Sequence, residues 1–367
     1  MNALRSWGIL SARLARYFAY HWGFVDSCPP FDDIYRTGTA PFYHIWQFDK
    51  YVRTRGADRL PAPPVLFVPN HMRLDDPVVM YLAIERATRK AYYARFMMRK
   101  GAFASSPILN SRLIDLEELL TLAAAIEIDR DRITWSQLKP FVQRLQEPNA
   151  CTMYIGRTRS RTGAFMEYLE FDEPGSASWL MAQAQRKAPD KPVAAVPMAR
   201  SFNPITKESC ISFGDPRYLP RDAGREAQRQ FDYDLIESMG DLLEIHGGHV
   251  VSALLYLQCL HGLGDRVSVG TLYSRAQSIV AALNDQLHVH PRLSDDVEGE
   301  VDRSLAYLEK KGFLTRFRGD IVLAHDRVLS CPPPTRRYIK ENPIKFMVNQ
   351  ALHLRDFVKA ANDVAVS

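Results

Sequence analysis

The chain has no apolar run near the roughly 18 residues that cross a bilayer as a helix. Its longest such runs, residues 78–84 among them, suit a buried helix instead. The start lacks the compact apolar block and small-residue cleavage site of a secretory leader, so any meeting with a membrane is expected at its surface. Five cysteines (Cys28, Cys151, Cys210, Cys259, Cys331) are odd in number and scattered, with no pair at zinc-site or redox spacing. Reduced, cytosol-facing thiols are the simple reading. No Gly-x-Ser-x-Gly elbow is present, which weakens a serine-hydrolase reading. No glycine-rich loop carries lysine at Walker spacing, and there is no internal repeat or low-complexity segment.

What is present is ordinary for a folded protein of about two domains: 367 residues, 46% hydrophobic and 24% charged. A net charge of +5 suits an anionic partner such as a phosphate ester, a coenzyme, an acidic carrier protein or an anionic membrane face. It is too small to point to nucleic acid.

Three regions are expected: an N-terminal helical segment over 1–60, a core over 61–245 and a helical part over 246–367. Near the start, Trp7, Leu10, Leu14 and Tyr17/Phe18 recur at helical spacing, with Arg5, Arg13 and Arg16 available to flank them. That stripe fits a helix lying in a membrane interface, or one packed on its own protein; a mitochondrial transit peptide is a third option. After Pro61–Pro64, strand-like runs alternate with helical ones. Residues 65–69, 92–98, 126–128, 151–155, 193–196 and 210–213 read as strands; 77–88 and 135–145 read as helices. Alternation of this kind predicts an α/β fold with a mixed, largely parallel sheet flanked by helices. Beyond residue 246, helices over 250–260, 269–283 and 295–311 precede a hairpin over 313–324, a winged-helix-like order. Its third helix begins Asp295-Asp296-Val-Glu298-Gly-Glu300-Val-Asp302, a face that would repel phosphate, so no nucleic-acid partner is expected.

Two features carry chemistry. His71 and Asp76 stand five apart, a spacing repeated at His21/Asp26, His44/Asp49 and His290/Asp295 and therefore uninformative alone. Context separates the first pair: Asn70-His71 closes an apolar strand and Asp76-Pro77 opens a helix. A strand-to-helix turn can fold the carboxylate onto the imidazole, leaving the other ring nitrogen as a general base. The alternative is an aspartate that only caps its helix. The second feature is Tyr154-Ile-Gly-Arg-Thr158-Arg159-Ser160-Arg161-Thr-Gly163, three arginines after a strand, able to hold a phosphate dianion or to form a solvated basic loop. Arg130, in Ile128-Asp129-Arg130-Asp131-Arg132, is a further phosphate ligand or part of an internally paired cluster. Val196 and Pro197, in Pro192-Val-Ala-Ala-Val-Pro197, line an acyl pocket or simply the core. His246-Gly-Gly-His249 and His288-Val-His290 lack acids or cysteines at ligand spacing, so no metal is expected.

In order, Asn-His-x4-Asp-Pro, Ile-Asp-Arg, Thr-Arg-Ser-Arg and Val-x-x-Val-Pro resemble the glycerolipid acyltransferase superfamily over about residues 60 to 215. Arg159-Ser-Arg-Thr-Gly163, and Tyr338-Ile-Lys-Glu-Asn342-Pro-Ile-Lys-Phe near the end, are most similar to its glycerol-3-phosphate and dihydroxyacetone-phosphate branch. The resemblance implies transfer of a fatty acyl group from acyl-CoA or acyl carrier protein to a glycerol-3-phosphate hydroxyl in phospholipid biosynthesis. It implies His71 and Asp76 as the catalytic pair, and Arg130, Thr158, Arg159, Ser160 and Arg161 around the acceptor's phosphate. No metal or redox cofactor is implied, and the expected location is peripheral, on the cytoplasmic membrane face. The chain departs from the pattern at Gly156 and Arg157, where glutamate and glycine are usual, and at Ala124 and Glu127, where glycine and an aromatic are usual. Those changes leave room for a bulkier or differently charged acceptor. The rival readings are a lysophospholipid acyltransferase and a lipid- or carrier-binding scaffold without turnover.

Overall fold

A computed structural model describes residues 3–31, 38–89, 91–104, 106–123, 125–129, 132–156, 159–167, 176–188, 190–283 and 287–365. Its centre is an eight-stranded sheet of β1 (Val52–Arg55), β2 (Val65–Pro69), β3 (Arg95–Arg99), β4 (Ile126–Ile128), β5 (Ala150–Thr152), β6 (Ala194–Phe202), β7 (Ser209–Phe213) and β8 (Arg217–Tyr218). The order is β1-β7-β6-β2-β5-β3-β4, with β8 beside β6. β2 runs parallel to β5 and β6, β3 to β4 and β5, and β1 to β7. The pairs β6–β7 and β6–β8 are antiparallel. This is the expected α/β class with a mixed, largely parallel sheet.

A parallel sheet needs cover on both faces, and the alternation of strand side chains directs residues to each. Leu66 and Val68 of β2, with Ala195 and Ala199 of β6, join the core under helices Trp135–Gln146, Ala177–Lys187 and Arg225–Asp241. Val65 and Phe67, with Val196 and Met198, join the opposite core under helix Asp76–Ala87. β6 begins at Ala194 and continues to Phe202, well past the proline taken as its end.

In the segment read as helical, Ala3–His21 is a helix, but Val52–Arg55 forms the edge strand β1 of the main sheet. The apolar stripe of the first helix packs on the protein itself. Leu10 and Tyr17 are buried beside Phe31, with Leu119 and Leu122 of helix Leu116–Leu122 against them. The Tyr17 hydroxyl donates to the Asp115 carbonyl at 2.7 Å. Trp7 is exposed. Among the described residues no helix is long and apolar enough to cross a membrane.

After β9 (Glu244–Ile245) come helices Gly247–Leu260 and Val269–Leu283, then Pro291–Asp295 and Val297–Lys310. The third expected helix, over 295–311, starts at Val297, capped by the Asp296 carboxylate, which accepts from Gly299 N; the short helix Pro291–Asp295 before it was not expected. β10 (Arg266–Ser268) had no counterpart in the sequence reading. β11 (His288–Val289) pairs with β9, and β10 joins β12 (Leu314–Phe317) and β13 (Asp320–Leu323) in an antiparallel sheet of order β10-β13-β12. Helices Pro343–Ala351 and Arg355–Ala365 follow, and their buried side chains share one continuous core with Leu66 and Val68 of β2.

Candidate active site

The chain leaves β2 through Asn70, whose buried side chain extends the ladder to β6. Its Nδ2 donates to the Arg200 carbonyl at 3.2 Å, and its Oδ1 accepts from Arg200 N at 2.8 Å. His71 therefore emerges just beyond the carboxyl end of a central strand, the usual place for a ligand crevice in such sheets. The next turn wraps around the Asp76 carboxylate. Oδ2 meets His71 Nδ1 at 2.9 Å and accepts from the backbone N–H groups of Met72 and Arg73, both at 2.6 Å. Asp76 is fully buried at the first turn of its helix, so its carboxylate is turned back onto the loop that holds the histidine. Among the described residues, this is the one of the four His-x4-Asp pairs joined by a hydrogen bond. His21 instead bonds Glu118, Asp49 bonds Arg86, and the His290 ring accepts from Arg292 N.

Arg200, which the sequence reading did not single out, closes the other side of the carboxylate. Val196, Met198 and Arg200 lie at alternate positions of β6 and so share the face under helix Asp76–Ala87. Arg200 Nη1 donates to Asp76 Oδ1 at 2.7 Å and to Asp75 Oδ1 at 3.0 Å, while Nε donates to Ser209 Oγ at 3.1 Å. Burial alone would raise the Asp76 pKa. The His71 hydrogen bond and the Arg200 charge outweigh it and hold the carboxyl below its ordinary value. Asp75 is likewise lowered, against burial, by Arg200 and Arg73. Arg73 Nε donates to Asp75 Oδ1 at 3.0 Å, and its guanidinium lies 4.0 Å from the centre of the Phe202 ring.

The His71 ring packs 4.5 Å from that of Tyr154, and its side chain keeps 21% exposure. Burial, then the nearby Asp76 charge, pushes the Tyr154 hydroxyl well up, and it has no hydrogen-bond partner among the described residues.

The arginine loop sits directly against the dyad: Ser160 N donates to the His71 carbonyl at 2.8 Å. Ser160 itself is buried, and its Oγ accepts from Gly163 N at 3.1 Å, so this hydroxyl shapes the turn. Arg159 is half-buried and Arg161 exposed. Burial first, then the charges of Arg336 and Arg161, lower the Arg159 pKa. Arg130, Thr158, Arg157 and Ala124 lie outside the described residues. At Gly156, a Cβ would come within 2.6 Å of Met166 Sδ, so a glutamate there would require that side chain to move. Glu127 is in β4, and Val196 and Pro197 are buried within β6. His246 and His249 are buried and stacked on each other, at 3.7 Å between ring centres. Among the described residues no group of three or more potential ligands is placed to hold a metal ion.

No protein-family model matches the chain, and no curated protein does. Among solved structures, it is similar to the crystal structure of the 1-acyl-sn-glycerophosphate (LPA) acyltransferase PlsC from Thermotoga maritima. That similarity spans 64% of this chain and 91% of that one, at 11% identity and a TM-score of 0.38. A likeness at that level carries no weight for activity, which has to be argued from the site.

Proposed function

We propose that this protein transfers an acyl group from a thioester of coenzyme A or acyl carrier protein to a hydroxyl of glycerol 3-phosphate. The observation that carries the reading is the buried Asp76 carboxylate bound to His71 Nδ1 beside an arginine loop that hydrogen-bonds the same histidine's backbone. An ionised Asp76 accepts a hydrogen bond from His71 Nδ1–H, which leaves the lone pair on Nε2. As the acceptor hydroxyl attacks the thioester carbonyl, its proton passes to Nε2 and a tetrahedral intermediate forms. The carbon–sulfur bond then breaks, and the imidazolium returns the proton to the departing thiolate. Asp76 stays ionised throughout and stabilises the imidazolium, much as in a hydrolase triad but with the substrate alcohol as nucleophile. Arg159 and Arg161, with Arg130 and Thr158, hold the acceptor's phosphate.

The test is acyl transfer by the purified chain, wild type beside His71→Ala, with coenzyme A and carrier-protein thioesters. Glycerol 3-phosphate and lysophosphatidate serve as acceptors. Turnover should fall by roughly 10²- to 10⁴-fold in the variant. Faster transfer to lysophosphatidate would reassign the acceptor to a lysophospholipid. Equal rates in both proteins would remove His71 as base, and no turnover with any pair would leave a binding role.

A further inference from the structure

The motif Tyr338-Ile-Lys-Glu-Asn342-Pro-Ile-Lys-Phe346 lies far along the chain from the dyad, yet it is built against the arginine loop. Asn342 organises the motif: Nδ2 donates to the carbonyls of Arg327, Val328 and Ser330, and Oδ1 accepts from Lys345 N. Helix Pro343–Ala351 then reaches the loop at two points. Asn349 Nδ2 donates to the Thr162 carbonyl at 3.0 Å, and the Phe346 carbonyl lies so close to Gly163 that a Cβ there would sit 2.3 Å from it. The same Asn349 Nδ2 lies 3.5 Å from the hydroxyl of Tyr338, which is buried. Two residues before that anchor stands Arg336, which is exposed and near enough to Arg159 for its charge to act on it.

The local charges do not balance. Asp75 and Asp76 are matched by Arg73 and Arg200. Glu167 is bonded to the loop through the backbone N–H groups of Arg161 and Thr162. Against that single carboxylate stand three guanidiniums, Arg159, Arg161 and Arg336, none with a side-chain partner among the described residues. The surplus there is positive and suits an anionic group such as a phosphate monoester. Crowded like charges disfavour each other unless an anion sits among them. The lowered pKa of Arg159, with Arg336 the foremost charge acting on it after burial, is the same imbalance seen from one member.

We propose that Arg336 completes, with Arg159 and Arg161, a binding site for a phosphate monoester dianion, so that the C-terminal part of the chain supplies a substrate-binding residue. The inference deepens the proposed function and rests on it only for the identity of the acceptor.

The test reads binding rather than turnover. Inorganic phosphate, glycerol 3-phosphate and lysophosphatidate are titrated calorimetrically into the full chain as wild type, Arg336→Gln, Arg336→Lys and Lys310→Gln. The last removes one exposed positive charge from helix Val297–Lys310. Arg336→Gln should weaken phosphate and glycerol 3-phosphate about tenfold, the scale of a lost charge-assisted hydrogen bond. Arg336→Lys should lie between it and wild type, which also separates lost contact from lost folding, and Lys310→Gln should match wild type. Tighter binding of lysophosphatidate than glycerol 3-phosphate, with the same Arg336 dependence, would make the phosphate that of a lipid headgroup. Arg336→Gln binding like Lys310→Gln, or a wild type that takes up no phosphate, overturns the inference. If transfer is absent while phosphate binding depends on Arg336, the inference stands and the acyltransferase reading falls. If transfer collapses in His71→Ala but Arg336→Gln binds normally, the reverse holds.

Discussion

The guanidinium of Arg200 holds two neighbouring carboxylates at the start of a helix; both lie below their ordinary pKa against burial, Asp76 through the His71 hydrogen bond and then Arg200, Asp75 through Arg200 and then Arg73. Removing one partner of a buried ion pair strands the other, at a cost of about 3–5 kcal/mol. Arg200→Met should therefore destabilise the chain by about that much in urea denaturation, and a loss under about 1 kcal/mol would show that Asp76 does not depend on it. Of the dyad's surroundings, the turn from Asn70 to Pro77 was legible, because a strand end, a histidine and an aspartate-proline helix start are local signals. Arg200 was not. It is held to Asp76 across 124 positions, and the sequence showed only an arginine following an apolar strand. Its parity with Val196 and Met198 was the available signal, usable once the strand is known to continue past Pro197. Arg336, in a proline-rich stretch, offered no local signal at all.

Elements were legible where burial is one-sided and local. β2 and β4 match the expected strands residue for residue, and helix Asp76–Ala87 starts one residue early. β1 was hidden because Val-Arg-Thr-Arg is short and polar, and it becomes a strand only by lying along β7, with Arg53 bonded to Glu244. The arginine loop between β5 and the helix Ala177–Lys187 has its own tertiary requirement. Gly163 has φ +96°, a region costly for any side chain, and it also faces the Phe346 carbonyl. Gly163→Ala should cost about 2 kcal/mol or more of stability and loosen phosphate binding with it. A variant within about 0.5 kcal/mol of wild type would mean that the contact between loop and C-terminal helix yields freely.

At the scale of the molecule, one core runs from the sheet into the C-terminal helices, and histidines sit where the two meet. His249 Nδ1 accepts from His246 N at 3.3 Å, which leaves the proton on Nε2 to be donated to Gln350 Oε1 at 3.1 Å. Burial first, opposed by the Gln350 hydrogen bond, lowers the His249 pKa to about 4 from an ordinary value of 6.5. Between those values the unfolded chain binds a proton that the folded one refuses, so stability rises with pH across that window and is lost as pH falls through it. Above 6.5 the ring is neutral in both states and contributes no pH dependence. The full effect is of order 3 kcal/mol from the difference between the two values. Stability measured by denaturation should thus fall between pH 6.5 and 4 in the wild type and fall less steeply in His249→Gln, whose amide does not titrate. The comparison is of slopes, so any constant cost of the substitution drops out. Parallel curves for the two proteins would mean that His249 takes up its proton without unfolding its surroundings, and that the junction between sheet and C-terminal helices is open to water.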